Sequence, residues 1–212
     1  MPESTPAPRV DARAADRPRQ PPGQIRTEKW PVLHYGAVPS VRTADWRFTV
    51  SGLVERPFSI GWDELLALPR QETLCDMHCV THWSRYDNVF EGIPVRALLE
   101  RAGPRPEAAF VMVHADPDYT TNLPLDDLDR DANLLALRFN GEPLTPEHGG
   151  PVRLLVPHLY LWKSAKWVTG FELLADDEPG FWEQNGYHMR GDPWDEERYG
   201  RPDPARMRRG VR

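Results

Sequence analysis

From Trp46 to Ser51 apolar and polar residues alternate, with Trp46, Phe48 and Val50 on one side and Arg47, Thr49 and Ser51 on the other. A period of two predicts a half-buried strand. The stretch "GWDELLALP" changes to a helical pattern and stops at Pro69. "IPVRALLERAG" predicts a better helix, with Pro94 suited to the first turn and Gly103 to the stop. "AAFVMVHA" is a continuous apolar run rich in Val, the pattern of a buried strand. "NLLALRFNGEPL" reads as a strand entering an Asn-Gly turn, and "PVRLLVP" and "KWVTGFELLA" as further strands. Order is expected to begin near "KWPVLHYG", and the tail from Gly180 to Arg212 has no period and reads as an irregular wrap.

Strands with short helices between them define an α+β fold with a mainly mixed or antiparallel sheet. Residues 1–24, rich in Pro, Ala, Arg and Asp, read as a disordered or loosely wrapped arm. Residues 25–200 form the expected domain, and residues 201–212 a basic tail. Composition narrows the class. The 212 residues can bury a substantial core, and 40% hydrophobic with 27% charged residues is the balance of a soluble globular chain. A net charge of -6 argues against a general nucleic-acid binder. No apolar run approaches the length of a membrane span, and the N-terminus lacks the apolar core of an export signal. The expected compartment is therefore cytoplasmic.

Both cysteines, with two of the seven histidines, crowd into "LCDMHCVTH". On a helix Cys75, His78 or Cys79, and His82 would share one face, and zinc takes such donors. Structural zinc sites usually join two short ligand pairs across a longer loop, and no second pair follows here. A redox pair, a cysteine nucleophile and a plain buried thiol beside hydrogen-bonding histidines stay open. A second constellation lies downstream. Between Glu147 and Glu172 no acidic residue occurs, while Arg153, Lys163 and Lys166 accompany Gly149, Gly150, His148, His158 and Ser164. A guanidinium fork, ammonium groups and close backbone suit a phosphate or another oxyanion. A solvated basic strand is the plainer reading.

Taken together, "HCVTHWSRYDNVFEGIPV", "HGGPVR" (His148 to Arg153) and "KSAKW" (Lys163 to Trp167) resemble the molybdopterin-binding domain of the sulfite oxidase family. The likeness is to its single-domain bacterial branch, which includes methionine-sulfoxide reductase catalytic subunits. The resemblance runs from about Trp30 to Tyr199 and implies a molybdenum-molybdopterin cofactor. It implies Cys79, rather than Cys75, as the metal ligand. It further implies His34, Tyr35, Asp116, His148, Arg153, Ser164, Ala165 and Lys166 as cofactor contacts, with His114 a rival to Asp116. His82 and Arg85, which follow the ligand in sequence, become candidates for the substrate pocket with Trp83. Sulfite oxidases of vertebrate type carry an arginine-rich stretch after the ligand cysteine, and here Arg85 is the only nearby cation. The chemistry implied is two-electron oxygen-atom transfer on a small sulfoxide- or sulfite-like substrate, with an external haem or flavin protein as electron partner. The alternatives from other classes are a zinc-binding protein using Cys75, His78, Cys79 and His82, and a cofactor-free relative with a binding role.

Overall fold

The computed structural model describes residues 8–200, so the basic tail lies outside the described residues. Among the described residues, twelve strands and four short α-helices make up the fold. They are β1 (Arg9–Asp11), β2 (Ile25–Arg26), β3 (Arg47–Gly52), β4 (Phe58–Gly61), α1 (Trp62–Leu66), β5 (Gln71–His78), β6 (Trp83–Pro94) and α2 (Val95–Ala102). There follow β7 (Phe110–Ala115), β8 (Tyr119–Pro124), α3 (Leu125–Leu128), β9 (Leu134–Phe139), β10 (Glu142–Pro143), β11 (Arg153–Leu155), β12 (Val168–Leu174) and α4 (Phe181–Gln184). None of the described helices is long and apolar enough to cross a membrane.

The strands form two mixed sheets. One has the order β4-β3-β12-β7-β8. The other runs β1-β5-β6-β9-β10, with β11 also on β9 and β2 on β6. The pleat sends successive side chains of β9 and β11 to opposite faces. Leu135, Leu137 and Leu154 enter the main core with Phe48, Val50, Val113, Phe171 and the buried face of α2. Leu134, Ala136 and Leu155 face the other way, into a smaller cluster with Cys75, Met77 and Phe90. That second face is where the site is built.

The alternating stretch around Phe48 is β3, with Trp46, Phe48 and Val50 all buried. Helix α2 ends as its glycine requires: Gly103 adopts a φ of 66° and its N–H closes onto the Leu99 carbonyl at 2.8 Å. Order begins earlier than the sequence patterning predicts. Arg9–Asp11 pairs in parallel with β5, Gln24 is buried, and Arg19 forks onto the buried Asp76 at 2.6 and 2.8 Å. Residues 8–24 thus wrap along the sheet, mostly exposed and held at a few points such as Gln24 and the Arg19–Asp76 pair, because arginines supply ion pairs where apolar periodicity is missing. The segment Gln71–His78 is a strand, with no helical face to gather its thiols and imidazoles.

Candidate active site

Strand β5 ends at His78, and the chain reverses through residues 79–82 into β6. The reversal is held by the Cys79 N–H to the Trp83 carbonyl at 2.9 Å and the His82 N–H to the Cys79 carbonyl at 3.1 Å. His82 takes a φ of 68°, the left-handed region few side-chain-bearing residues enter. Alternation along the strand puts Asp76 and His78 opposite Cys75 and Met77. Cys75 is fully buried in the smaller core cluster, and desolvation raises its thiol far above the ordinary range. His78 bonds Ser84 at 2.8 Å and meets Trp194 edge-on. Among the described residues no three His, Cys, Asp or Glu side chains gather as a metal site, so the zinc arrangement through Cys75, His78, Cys79 and His82 is not formed. A strand disperses what a helix would have collected.

Cys79 instead stands on the wall of a cavity of about 570 Å³. Burial raises its thiol, while the Thr81 hydroxyl at 3.1 Å and the Arg198 charge pull it back down. His34, Tyr35, Asp116, Arg153, Ser164, Ala165 and Lys166 line the same cavity. Seven of the cofactor contacts implied by sequence are thus brought together with the thiol. Asp116, rather than His114, reaches the wall; the His114 ring donates to Glu172 at 3.1 Å. Burial and the neighbouring charge of Asp118 raise the Asp116 carboxyl.

Arg153 and Lys166 set the electrostatics. Arg153 is 3% exposed and donates only to carbonyls: His148 at 2.9 Å, Ser164 at 2.8 Å and, weakly, Leu154. Desolvation lowers its guanidinium to about 10. Lys166 donates to the Leu33 and Glu147 carbonyls, and burial together with the Arg153 charge lowers it to about 7. Among the described residues neither has a carboxylate within ion-pair distance. Two half-starved cations on one wall call for an anion.

Three implied contacts are not brought to the wall. The His82 ring donates to the Gly23 carbonyl at 2.8 Å. Arg85 is spent on Asn88 and the Glu28 carbonyl, and lies over Phe139. His148 stacks on Trp30 at 4.0 Å and donates to its carbonyl, so it supports a wall residue from behind. Two expectations about the basic zone also change. Gly149 and Gly150 do not face the cavity; a Cβ on Gly149 would lie 3.0 Å from the stems of Arg153 and Lys166, so glycine there lets the loop back onto both cations. Lys163 is fully buried against Glu183 at 2.6 Å and contributes no charge to the cavity. Trp83 and Trp167, both within the sequence motifs, line the cavity, and Trp30, Trp162, Phe181, Trp182 and Tyr187 join them without having been read from sequence. The unusual count of eight tryptophans was the available signal.

The donor set is coherent: a single soft thiol, an unpaired cationic pair for a phosphate, and broad aromatic and backbone surfaces for a flat ring. A metal-bearing, phosphate-bearing pterin fits these residues, since a thiolate suits a soft or redox-active metal. The class defined is a cofactor-dependent redox enzyme with its cofactor pocket at the end of a mixed sheet. The chain belongs to the oxidoreductase molybdopterin binding domain family, which matches residues 35–182. It is a molybdopterin-dependent oxidoreductase of the sulfite oxidase type. It is 50% identical over 182 residues to the oxidoreductase YuiH of Bacillus subtilis, covering 85% of this chain and 92% of that protein. Over 158 residues it is 28% identical to the protein-methionine-sulfoxide reductase catalytic subunit MsrP of Campylobacter jejuni, covering 66% of this chain and 53% of that one. The fold superposes on a chain of the sulfane dehydrogenase SoxCD from Paracoccus pantotrophus with a TM-score of 0.62 and 25% identity, covering 68% of this chain and 41% of that one. The chain thus spans about half of the reductase subunit and about two-fifths of the SoxCD chain.

Proposed function

We propose that Cys79 ligates the molybdenum and that the enzyme carries out oxygen-atom transfer on a small sulfoxide- or sulfite-like substrate. The observation that carries the assignment is one thiol sharing a cavity wall with the buried Arg153 and the partly buried Lys166, neither of which has a carboxylate within ion-pair distance among the described residues. When bound, the molybdenum pterin supplies the two-electron redox chemistry. Arg153 and Lys166 hold the phosphate, exchanging carbonyl partners for charged oxygens. The Ser164 to Lys166 segment and His34 present polar edges to the ring, while Trp30 and Trp167 exclude water from its flanks. Asp116, its carboxyl raised by burial, offers a proton-bearing contact within the same wall. Near the thiol, Trp162, Trp182 and Tyr187 leave an aromatic space for the substrate. Electrons are proposed to arrive from an external haem or flavin protein, as the resemblance to the sulfite oxidase family implies.

The test is elemental analysis of chain made in a host that synthesises the cofactor. Near-stoichiometric molybdenum that is lost in Cys79→Ser, with zinc absent, is the expected result. Stoichiometric zinc, or molybdenum retained by Cys79→Ser, overturns the ligand assignment. Turnover of sulfoxides, sulfite and related oxo compounds with an artificial electron donor or acceptor then fixes substrate and direction.

A further inference from the structure

The turn that carries Cys79 is gripped from behind by both ends of the described chain. Gln24, 5% exposed, donates its amide to the carbonyl of Cys79 itself at 3.0 Å. Arg198, 6% exposed, donates to the Val80 carbonyl at 2.7 Å and lies 4.9 Å over the Tyr160 ring. The His82 carbonyl accepts the Ile25 N–H at 2.9 Å, and the His82 ring donates to Gly23. Three of the four carbonyls in the turn are therefore claimed by residues 24, 25 and 198. The approach is tight. Gly23 sits at a φ of 65°, and a Cβ there would lie 2.8 Å from a Glu196 carboxylate oxygen and 3.1 Å from the Arg198 guanidinium. Gln24 and Arg198 both fall outside residues 35–182, the part matched by the family.

We propose that Gln24 and Arg198 form a two-sided clamp that fixes the direction in which the Cys79 thiol enters the cavity, acting as positioning residues for the metal ligand. The inference rests on the reading of Cys79 as that ligand. The physical case is that a reversal of four residues, with one member in the left-handed region, has little stability of its own. A ligand must be held to within a fraction of an ångström to be useful. A planar guanidinium and an amide, both buried and aimed at consecutive carbonyls, remove the freedom of the turn without touching the cavity. His82, expected from sequence in the substrate pocket, belongs to this clamp.

Arg198→Ala, Arg198→Lys and Gln24→Ala in the full chain test the clamp by two readouts. In cofactor-free protein, iodoacetamide labelling is followed by mass spectrometry that separates Cys79 from Cys75. Loss of one buried hydrogen bond in Gln24→Ala should speed labelling of Cys79 about tenfold, with Cys75 still protected. In Arg198→Ala the lost charge, which favours the Cys79 thiolate, offsets part of the same gain, and Arg198→Lys keeps that charge. In loaded enzyme, Arg198→Ala should displace the paramagnetic molybdenum signal and lower kcat about tenfold or more with KM little changed. Arg198→Lys should restore part of both. Parental labelling rates at Cys79 in both alanine variants overturn the clamp. So does labelling of Cys75 and Cys79 that rises together with a lowered melting temperature, which marks general loosening. If the parental chain carries no molybdenum, the ligand assignment falls instead, and the labelling rates still decide whether the turn is clamped.

Discussion

A buried guanidinium without a carboxylate beside it is costly to keep, and Arg153 is held by carbonyls alone. Arg153→Met should lower molybdenum retained per chain about tenfold or more, measured on protein purified from a cofactor-producing host. Lys166 carries a pH signature. Its folded value lies near 7 against 10.5 for a free lysine, so between these values the unfolded chain holds the extra proton. Stability of the cofactor-free protein should therefore rise from pH 7 toward pH 10 through this residue. Below pH 7, where folded and unfolded lysines are both charged, the gain is absent. Melting temperatures across that range should climb less in Lys166→Met than in the parent; equal slopes would refute the depressed value. At this scale the sequence was most informative where the chemistry is local. Arg153, Ser164, Ala165 and Lys166 fall within fourteen residues, and all line the cavity. It misled at His82, Arg85 and Lys163, whose roles depend on Gly23, Asn88 and Glu183, partners no spacing rule reveals.

Among the elements, β3, β7, β9, β11 and β12 were legible because one or both faces meet apolar core. β5 and β6 were not. Their buried positions include Asp76, His78, Ser84 and Asn88, whose polarity hides the strand pattern; Asp76 is paired by Arg19, while His78 bonds Ser84 and Asn88 bonds the Cys75 carbonyl within the hairpin. The hairpin they form is nonetheless the element that delivers Cys79. Its open end, where Gly92 pairs with Gln71, admits no side chain: a Cβ on Gly92 would run into the Leu135 carbonyl oxygen of the neighbouring strand. Gly92→Ala should push β6 off β9 and cost about 2 kcal/mol or more, read as a lower urea midpoint. Helix α2 behaves ordinarily by comparison. Leu98→Ala, at a fully buried position, should cost about 3 kcal/mol in the same measurement and leave cofactor content unchanged.

Across the whole molecule, the last stretch of the described residues shapes the site. Residues 181–199 wrap back over the sheet ends and bring Phe181, Trp182 and Tyr187 to the cavity. The wrap is fastened by Lys163, which reaches Glu183, Asn122 and the Met189 carbonyl from a fully buried position. Desolvation lowers the Lys163 ammonium, and the Glu183 charge offsets part of that. Breaking such a pair strands the remaining charge, so Lys163→Met alone should lose about 3 kcal/mol, while Lys163→Met with Glu183→Gln should recover part of it. Urea unfolding of the four combinations measures the coupling. Substrate affinity should fall with the single variant, because the aromatic wall is carried by the loosened wrap.

The sequence alone determined the α+β class, most core strands, the helix with its glycine stop, and the cofactor implied by three ordered motifs. The class, the strands and the glycine stop depend on local period and turn chemistry written in neighbouring residues, while the cofactor rests on the resemblance of those motifs to the sulfite oxidase family. The tertiary structure alone decided which cations lack counter-charges and which aromatic rings enclose the space, and it put Cys79, the cysteine the resemblance had already preferred, on the cavity wall. It also joined Gln24, Cys79 and Arg198, far apart in the chain, at one turn. Burial and pairing are properties of surfaces that meet only after folding, so no periodicity in the chain can encode them position by position.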